Sequence, residues 1–322
     1  MEHSLAHDRN RKLLSIGEVV ALLRASYPDV THSSLRFLER EGLITATRTP
    51  GGHRLYTQDD VERIRQIKAW QAQRLTLEAI RERLARLDRL PPASWLASEF
   101  LRLAVAGDFL EATRLILSID DVGFPLTRMF GDILRPVLVD VGQQWKEGLL
   151  LVAQEKEISQ CIRDVIAELI LRHSPSEAHG PALVAACVHG ERHELGLYMI
   201  CGLLRCRGHR IYYLGPDVAP EFLLDAVRLH QPALVLLSST LPQNLPAVHQ
   251  AIITVRDALN DSSLPLMLAG GQAVTDNHHL VSSWGAIPVA EDLPDHAVQV
   301  IEELLAARAA PPSVNGQAAH HA

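Results

Sequence analysis

The sequence predicts a multidomain chain: a winged helix-turn-helix head, a four-helix bundle, and a doubly wound, flavodoxin-like α/β domain. Three observations predict it. Near the amino end, two short amphipathic stretches precede a Pro-Gly-Gly turn set between β-prone pieces, "TATRTPGGHRLYT". In the middle, apolar residues recur every three to four positions through four successive stretches. In the last third, short apolar runs alternate with helical patterns, as a parallel sheet requires. The boundaries read as a flexible tail over 1–12, the head over 13–90, the bundle over 91–176, the α/β domain over 180–308 and a disordered tail over 309–322.

A chain of 322 residues is long enough for two or three domains, and its 47% hydrophobic content suits domains with real cores. No apolar run approaches the roughly 20 residues that span a bilayer, so no membrane partner is expected. The opening "MEHSLAHDRNRKLL" lacks the apolar core and cleavage site of a signal peptide. All four cysteines (Cys161, Cys187, Cys201, Cys206) lie in the second half without a C-x-x-C pair. A disulfide framework is therefore not expected, and a reducing cytoplasm fits. Cys187 and Cys201 fall in apolar runs and read as buried small hydrophobes.

The net charge of −7 is unevenly spread. Residues 1–90 hold 16 Lys/Arg against 12 Asp/Glu, a net of +4, which leaves 15 against 26, a net of −11, for residues 91–322. Any polyanionic partner is thus expected at the head.

In the head, Ser15 can cap a first helix, with Glu18 at capping-box spacing. Pro28 and Asp29 break the pattern, and Thr31 to Glu41 resumes it with Leu35 and Leu38 facing inward. Two short helices joined by a turn form a helix-turn-helix. The Pro-Gly-Gly turn then makes a β-hairpin wing, and a new helix starts at a cap supplied by Thr57 or Asp59. "LRFLEREGLI" followed by "RTPGGHRLYTQDDVERI" resembles the DNA-binding head of the MerR family of transcription regulators, over roughly residues 13–87. The resemblance implies that Arg36 on the second helix, with Arg48, His53, Arg54 and Tyr56 on the wing, contacts the backbone or groove edges of double-stranded operator DNA. Arginine forks suit phosphate oxygens and guanine edges. The residues alone leave open that some of these arginines only pair with Glu39, Glu41 or Asp59.

Two features depart from the metal-sensing members of that family. No cysteine precedes Cys161, and "LEAIRERLARLDRLPPASW" reaches Pro91-Pro92 too soon for a long dimerising helix. Pairing is expected from the body instead. There, "SWLASEFLRLAVAG", "DFLEATRLILSI", "PLTRMFGDILRPVLVDVGQQWKEG" and "LVAQEKEISQCIRDVIAELILRH" read as the four helices of the bundle.

The α/β domain offers strands "ALVAACV", "RIYYLG", "ALVLLS", "LPLMLAG" and "AIPVA". Three loops on the same sheet edge stand out: "HGERHELG" after the first strand, "SST" (Ser238 to Thr240) after the third, and Gly270-Gly271 after the fourth. Ligands of open α/β sheets bind outside the carboxyl ends of the strands. Taken alone, His193 reads as a surface loop histidine or a metal ligand. The set Glu191-x-His193-x-x-Gly196, Ser238-x-Thr240 and Gly270-Gly271 resembles the cobalamin-binding domain of methionine synthase and its relatives. That resemblance implies cobalamin as cofactor and His193 as the lower axial ligand of cobalt. Glu191 would tune the imidazole, and the nucleotide tail would lie beside the Ser and Gly-Gly loops.

A MerR-like head, a bundle and a cobalamin domain in this order resemble the CarH/CarA/LitR group of cobalamin-dependent, often light-responsive repressors. That group carries W-x9-E-H over the upper face of cobalt. Here Trp145 and Glu155 stand in place, but Lys156 replaces the histidine, and Lys146 stands where members have a histidine after the tryptophan. A protonated lysine is a poor metal ligand. The upper ligand is therefore left open, with adenosylcobalamin among the candidates, as is another chromophore in the same cavity.

The expected function is a cobalamin-binding, light-responsive repressor, not an enzyme, whose cofactor state controls self-association, as dimer or tetramer through bundle and cobalamin domain, and operator binding. The alternatives are a corrinoid-carrier subunit of a methyltransferase or mutase, and a DNA-binding regulator whose body is cofactor-free. The carrier reading leaves the head idle and lacks room for a substrate domain.

Overall fold

The computed structural model describes residues 13–24, 27–260, 263–290 and 293–309. The tails expected over 1–12 and 309–322 lie outside these residues, apart from Ala309. The chain divides into two compact units between Ile133 and Leu134, inside the expected bundle rather than at either of its ends.

The first unit opens with β1 (Leu14–Ser15), α1 (Ile16–Leu23) and α2 (His32–Arg40). Ser15 caps α1 with Glu18 in a reciprocal box, and Thr31 caps α2 with Ser34. Each such cap contributes about 1 kcal/mol by giving a partner to orphan N–H groups. The wing is β2 (Thr47–Arg48) and β3 (Arg54–Tyr56), and β1 pairs with β3 on its other side, all antiparallel. Thr57, not Asp59, caps α3 (Gln58–Ala72), with Asp60 at its third position. The head core gathers Val19, Leu23, Leu35, Leu38, Tyr56, Val61 and Ile64. Next, α4 (Leu77–Leu87) is short and ends before the two prolines, as expected.

After the prolines come α5 (Ala93–Val105), α6 (Phe109–Val122) and α7 (Leu126–Arg128). The turn after α6 packs on the head. Gln66 of α3 donates to the Gly123 carbonyl, and Thr127 Oγ1 donates to Glu62 at 3.5 Å. Gly123 has φ +96°, and a Cβ there would lie 2.7 Å from the Trp70 ring. Glycine is required at this point for both reasons.

What reads in sequence as one long third helix of the bundle is α7, a π-helical stretch Met129–Leu134, and α8 (Arg135–Lys146). Pro136 sits in the first turn of α8, where its missing N–H costs least.

In the second unit α8 is followed by α9 (Val152–His173), which packs against α10 (Leu195–Cys206). The sheet holds β4 (Ala182–Val188), β5 (Arg210–Val218), β6 (Leu234–Ser238), β7 (Leu266–Gly270) and β8 (Ile287–Val289), in the order β5-β4-β6-β7-β8. Every pairing is parallel. Crossovers include α11 (Pro220–His230), α12 (Leu245–Ala258), α13 (Gln272–Asp276) and α14 (His278–Ser283), and α15 (Pro294–Ala309) is the last described element. Counted within the sheet this is the 2-1-3-4-5 order of flavodoxin-like folds, with its switch point between β4 and β6. β4 and β6 are buried on both faces, which is why they read as unbroken apolar runs.

Candidate functional site

The loop leaving β4 opens at that switch point. Its turn is fixed first by backbone: the Glu191 N–H donates to the Val188 carbonyl at 2.9 Å. The Gly190 N–H donates to Asp217 Oδ1 at 2.7 Å, with Gly190 at φ +82°. Glu191 itself is wholly buried. Oε1 accepts the His193 backbone N–H at 2.9 Å and lies 2.6 Å from His193 Nδ1. Oε2 accepts the N–H groups of Thr240 at 2.7 Å and Leu241 at 3.1 Å, and the Asn244 amide at 3.1 Å. Burial disfavours the Glu191 charge most, yet these donors outweigh it and hold the carboxyl at about 2. The hydrogen bond to Glu191 raises the His193 pKa, burial opposes that rise, and the charges of Glu191, Lys156 and Glu155 also act on the ring. The imidazole is 58% exposed at its side chain, with Nδ1 committed to Glu191.

The neighbouring loops meet this one on the same edge. Ser238 is buried and pairs with Cys187 across the sheet, and burial pushes the Cys187 thiol up to about 12. Thr240 serves Glu191 through its backbone N–H. The loops after β6 and β7 touch closely: Ser239 N–H donates to the Gly270 carbonyl at 2.9 Å. Gly271, at φ +99°, would place a Cβ 2.4 Å from the Ser239 carbonyl oxygen. Gly196 lies in the first turn of α10, and a Cβ there would meet nothing within 4 Å. So the structure brings Glu191, His193, Gly196, Ser238, Thr240, Gly270 and Gly271 to one edge. Glu155, in the first turn of α9, acts on the His193 ring through its charge, as Lys156 does in the opposite sense. Trp145 lies in the last turn of α8 with 45% of its surface exposed.

These residues fit a corrinoid. Among the described residues no three His, Cys, Asp or Glu side chains converge to hold a metal ion. One oriented imidazole suits a metal that arrives with its own equatorial ring. The open space at Gly196 leaves room beside it.

On the head, Arg36 and His53 are exposed. Arg48 and Arg54 both pair with Glu39, at 3.1 and 2.5 Å, so the pairing that the residues left open is what the structure holds. Tyr56 needs correcting as a DNA contact. Its ring is wholly buried in the head core, because β3 turns it inward opposite Leu14.

The sequence reading missed Asn244, Arg163 and Tyr213. Asn244 stands at the N-cap position of α12, and its amide serves Glu191. Arg163 on α9 pairs with Glu194, which also accepts the Tyr213 hydroxyl at 2.6 Å. No short-range pattern marks them, since their partners lie 19 to 53 positions away.

Residues 14–87 match the MerR HTH family regulatory protein family, and residues 181–301 match the B12 binding domain family. The HTH-type transcriptional repressor CarH of Myxococcus xanthus is 31% identical over 251 residues, 73% of this chain and 82% of that protein. The HTH-type transcriptional repressor CarA of Myxococcus xanthus is 27% identical over 272 residues, 80% of this chain and 88% of that one. The monomethylamine corrinoid protein of Methanosarcina barkeri superimposes with a TM-score of 0.57 at 16% identity, over 66% of this chain and 100% of its own, a likeness of fold.

Proposed function

The chain belongs to the family of MerR-type HTH repressors with a B12 binding domain that includes CarH, and from that membership we propose how its cofactor governs its DNA binding. It is a cobalamin-binding, DNA-binding transcriptional regulator. In our reading His193 would hold the cobalt of the cofactor through Nε2, and Glu191 would keep the ring in the tautomer that leaves Nε2 free. Ser238, Thr240, Gly270 and Gly271 border the slot for the nucleotide tail, and Trp145 and Glu155 cover the upper face. The cofactor, when bound, supplies a cobalt whose upper ligand can be exchanged or lost.

This chain's own residues turn that into a signal by packing. Trp145 is held on α8 and Glu155 on α9, so what occupies the upper face is read by two helices of the body. A ligand shifts an equilibrium only by its differential affinity for the two states. Self-association through the body, as dimer or tetramer, brings heads together and raises operator affinity through effective concentration. The cytoplasm is the compartment in which these roles meet DNA, and light is the signal we assign to the upper-ligand change. The observation that carries the reading is the buried Glu191 carboxylate fixed on His193 at the switch point of a chain with a winged helix-turn-helix head. Visible spectra of the purified protein with each cobalamin, in the dark and after illumination, test it alongside size-exclusion chromatography and operator shift assays. A protein that takes up no cobalamin refutes it.

A further inference from the structure

His193 stands between two anchored acids. On one side Glu191 ties the loop to the sheet edge, through the N–H groups that follow β6. On the other side Glu194, immediately after His193, is tied to α9. The Arg163 guanidinium pairs with Glu194 Oε1, and the Tyr213 hydroxyl donates to Glu194 Oε2 at 2.6 Å. The guanidinium also lies over the Tyr198 ring, 5.3 Å from its centroid, and Tyr198 and Tyr213 pack with centroids 5.2 Å apart. Glu194 is 15% exposed at its side chain, so both of its oxygens are engaged in a largely closed setting. Arg163 lies just over two helical turns past Glu155 on the same helix.

We propose that Arg163 and Glu194 form a positioning clamp between α9 and the His193 loop, so that a shift of α9 at its Glu155 end is felt at the lower ligand. The proposal rests on the reading of His193 as the cobalt ligand. Two anchors of different origin make the geometry specific. With Glu191 alone, the ring would keep its tautomer but the loop could swing with α10. With the clamp added, the loop keeps a fixed distance from the helix that carries Glu155. An arginine suits the task because its planar fork meets a carboxylate while its face stacks on an aromatic ring.

The test uses the full chain and hydroxocobalamin, titrated in the dark against wild type, Arg163→Gln, Glu194→Gln and Arg163→Lys. Two quantities are read: affinity, and the fraction of bound cofactor in the histidine-ligated form at saturation. Either Gln variant should weaken binding roughly tenfold, as loss of a partner that orients a metal ligand does, and should lower the histidine-ligated fraction. Arg163→Lys keeps the charge and should restore part of both. A purely structural role would weaken binding while leaving that fraction complete, and this result in both Gln variants overturns the clamp. Amide hydrogen exchange without cofactor gives a second readout: residues 190–195 should exchange faster in Arg163→Gln while β4 stays protected. Unchanged protection of 190–195 also overturns it. Should Arg163→Gln fail to fold, Tyr198→Leu removes the ring beneath the guanidinium and is read by the same exchange. A wild type that takes up no hydroxocobalamin, yet shows the exchange difference, would sink the cobalt-ligand reading and leave the clamp standing as a loop anchor.

Discussion

One carboxylate oxygen of Glu191 meets His193 twice, at the backbone N–H and at ring Nδ1. The second contact fixes the ring and the first fixes the chain that carries it. The nearby His189 also meets a carboxylate through Nδ1, that of Asp217 at 2.9 Å, but Asp217 is 40% exposed at its side chain where Glu191 is wholly buried. The two histidines, four residues apart, thus differ in what they can do.

His193→Ala should abolish the histidine-ligated cobalamin spectrum and weaken binding by at least tenfold, whereas His189→Ala should leave both near wild type. Absorbance titrations of the two variants with hydroxocobalamin check this. Equal behaviour of the pair would remove His193 from the site. Because the His193 ring is mostly exposed, its removal should change the thermal midpoint little.

Glu191→Ala should behave in the opposite way. It strips an acceptor from the Thr240 and Leu241 N–H groups and from the Asn244 amide. Each unsatisfied buried donor costs about 1–3 kcal/mol, so the loss should reach about 3 kcal/mol or more. Urea unfolding of the cofactor-free chain measures it, and a loss below about 1 kcal/mol would contradict the hub role.

Much of this was legible in the sequence, for identifiable reasons. The central strands β4 and β6 declared themselves because parallel strands buried on both faces are continuous apolar runs, as "ALVAACV" and "LVLLS" are. His193, Ser238 and Gly271 could be found because loop chemistry needs particular residue types near strand ends. What the sequence hid is three-dimensional. Tyr56 alternates inward on a three-residue strand too short to show a period. Glu39 gathers Arg48 and Arg54 from 9 and 15 positions away. The π-helical stretch before Pro136 interrupts what periodicity reads as one helix.

The wing arginines give a prediction with two readouts. The hydrogen bond from Arg54 chiefly lowers the Glu39 pKa below its usual 4.5. A lowered carboxyl pKa stabilises the fold above about pH 4.5, and that contribution fades as pH falls below it. Thermal midpoints of wild type and Glu39→Gln should therefore differ at pH 7 and converge toward pH 3. Freed of Glu39, the arginines should also steepen the salt dependence of non-operator DNA binding by about one charge. A parallel pair of salt plots would show that Glu39 leaves both arginines available.

Gly123 offers a test of how the head is held. Gly123→Ala combines a left-handed backbone with a Cβ driven into the Trp70 ring, and should cost about 1–3 kcal/mol. A fragment of residues 1–90 lacks the turn on which Trp70 and Gln66 pack, so it should melt below a fragment of residues 1–133. Differential scanning calorimetry of both fragments decides it, and identical midpoints would mean that the turn contributes nothing to the head.

The last prediction concerns the upper face of our reading, where lysines follow Trp145 and Glu155 in the chain. Lys156 is exposed and pairs with Glu155 Oε2 at 3.1 Å. Lys146 follows Trp145 at the end of α8 and is exposed as well. An ammonium has no lone pair to give a metal. After illumination of the adenosylcobalamin-loaded protein, then, no spectrum of cobalt held between two imidazoles should develop, and added imidazole should still reach the upper position. Lys146→His supplies the missing donor and should create that spectrum and block added imidazole. Trp145→Ala should narrow the difference in oligomeric state between dark and illuminated samples, because it removes the side chain assigned to read the upper face. A stable two-imidazole product in the wild type would overturn the assignment of Lys146. Oligomer and operator affinity that stay constant across all cobalamin forms and lighting would reject the sensor itself.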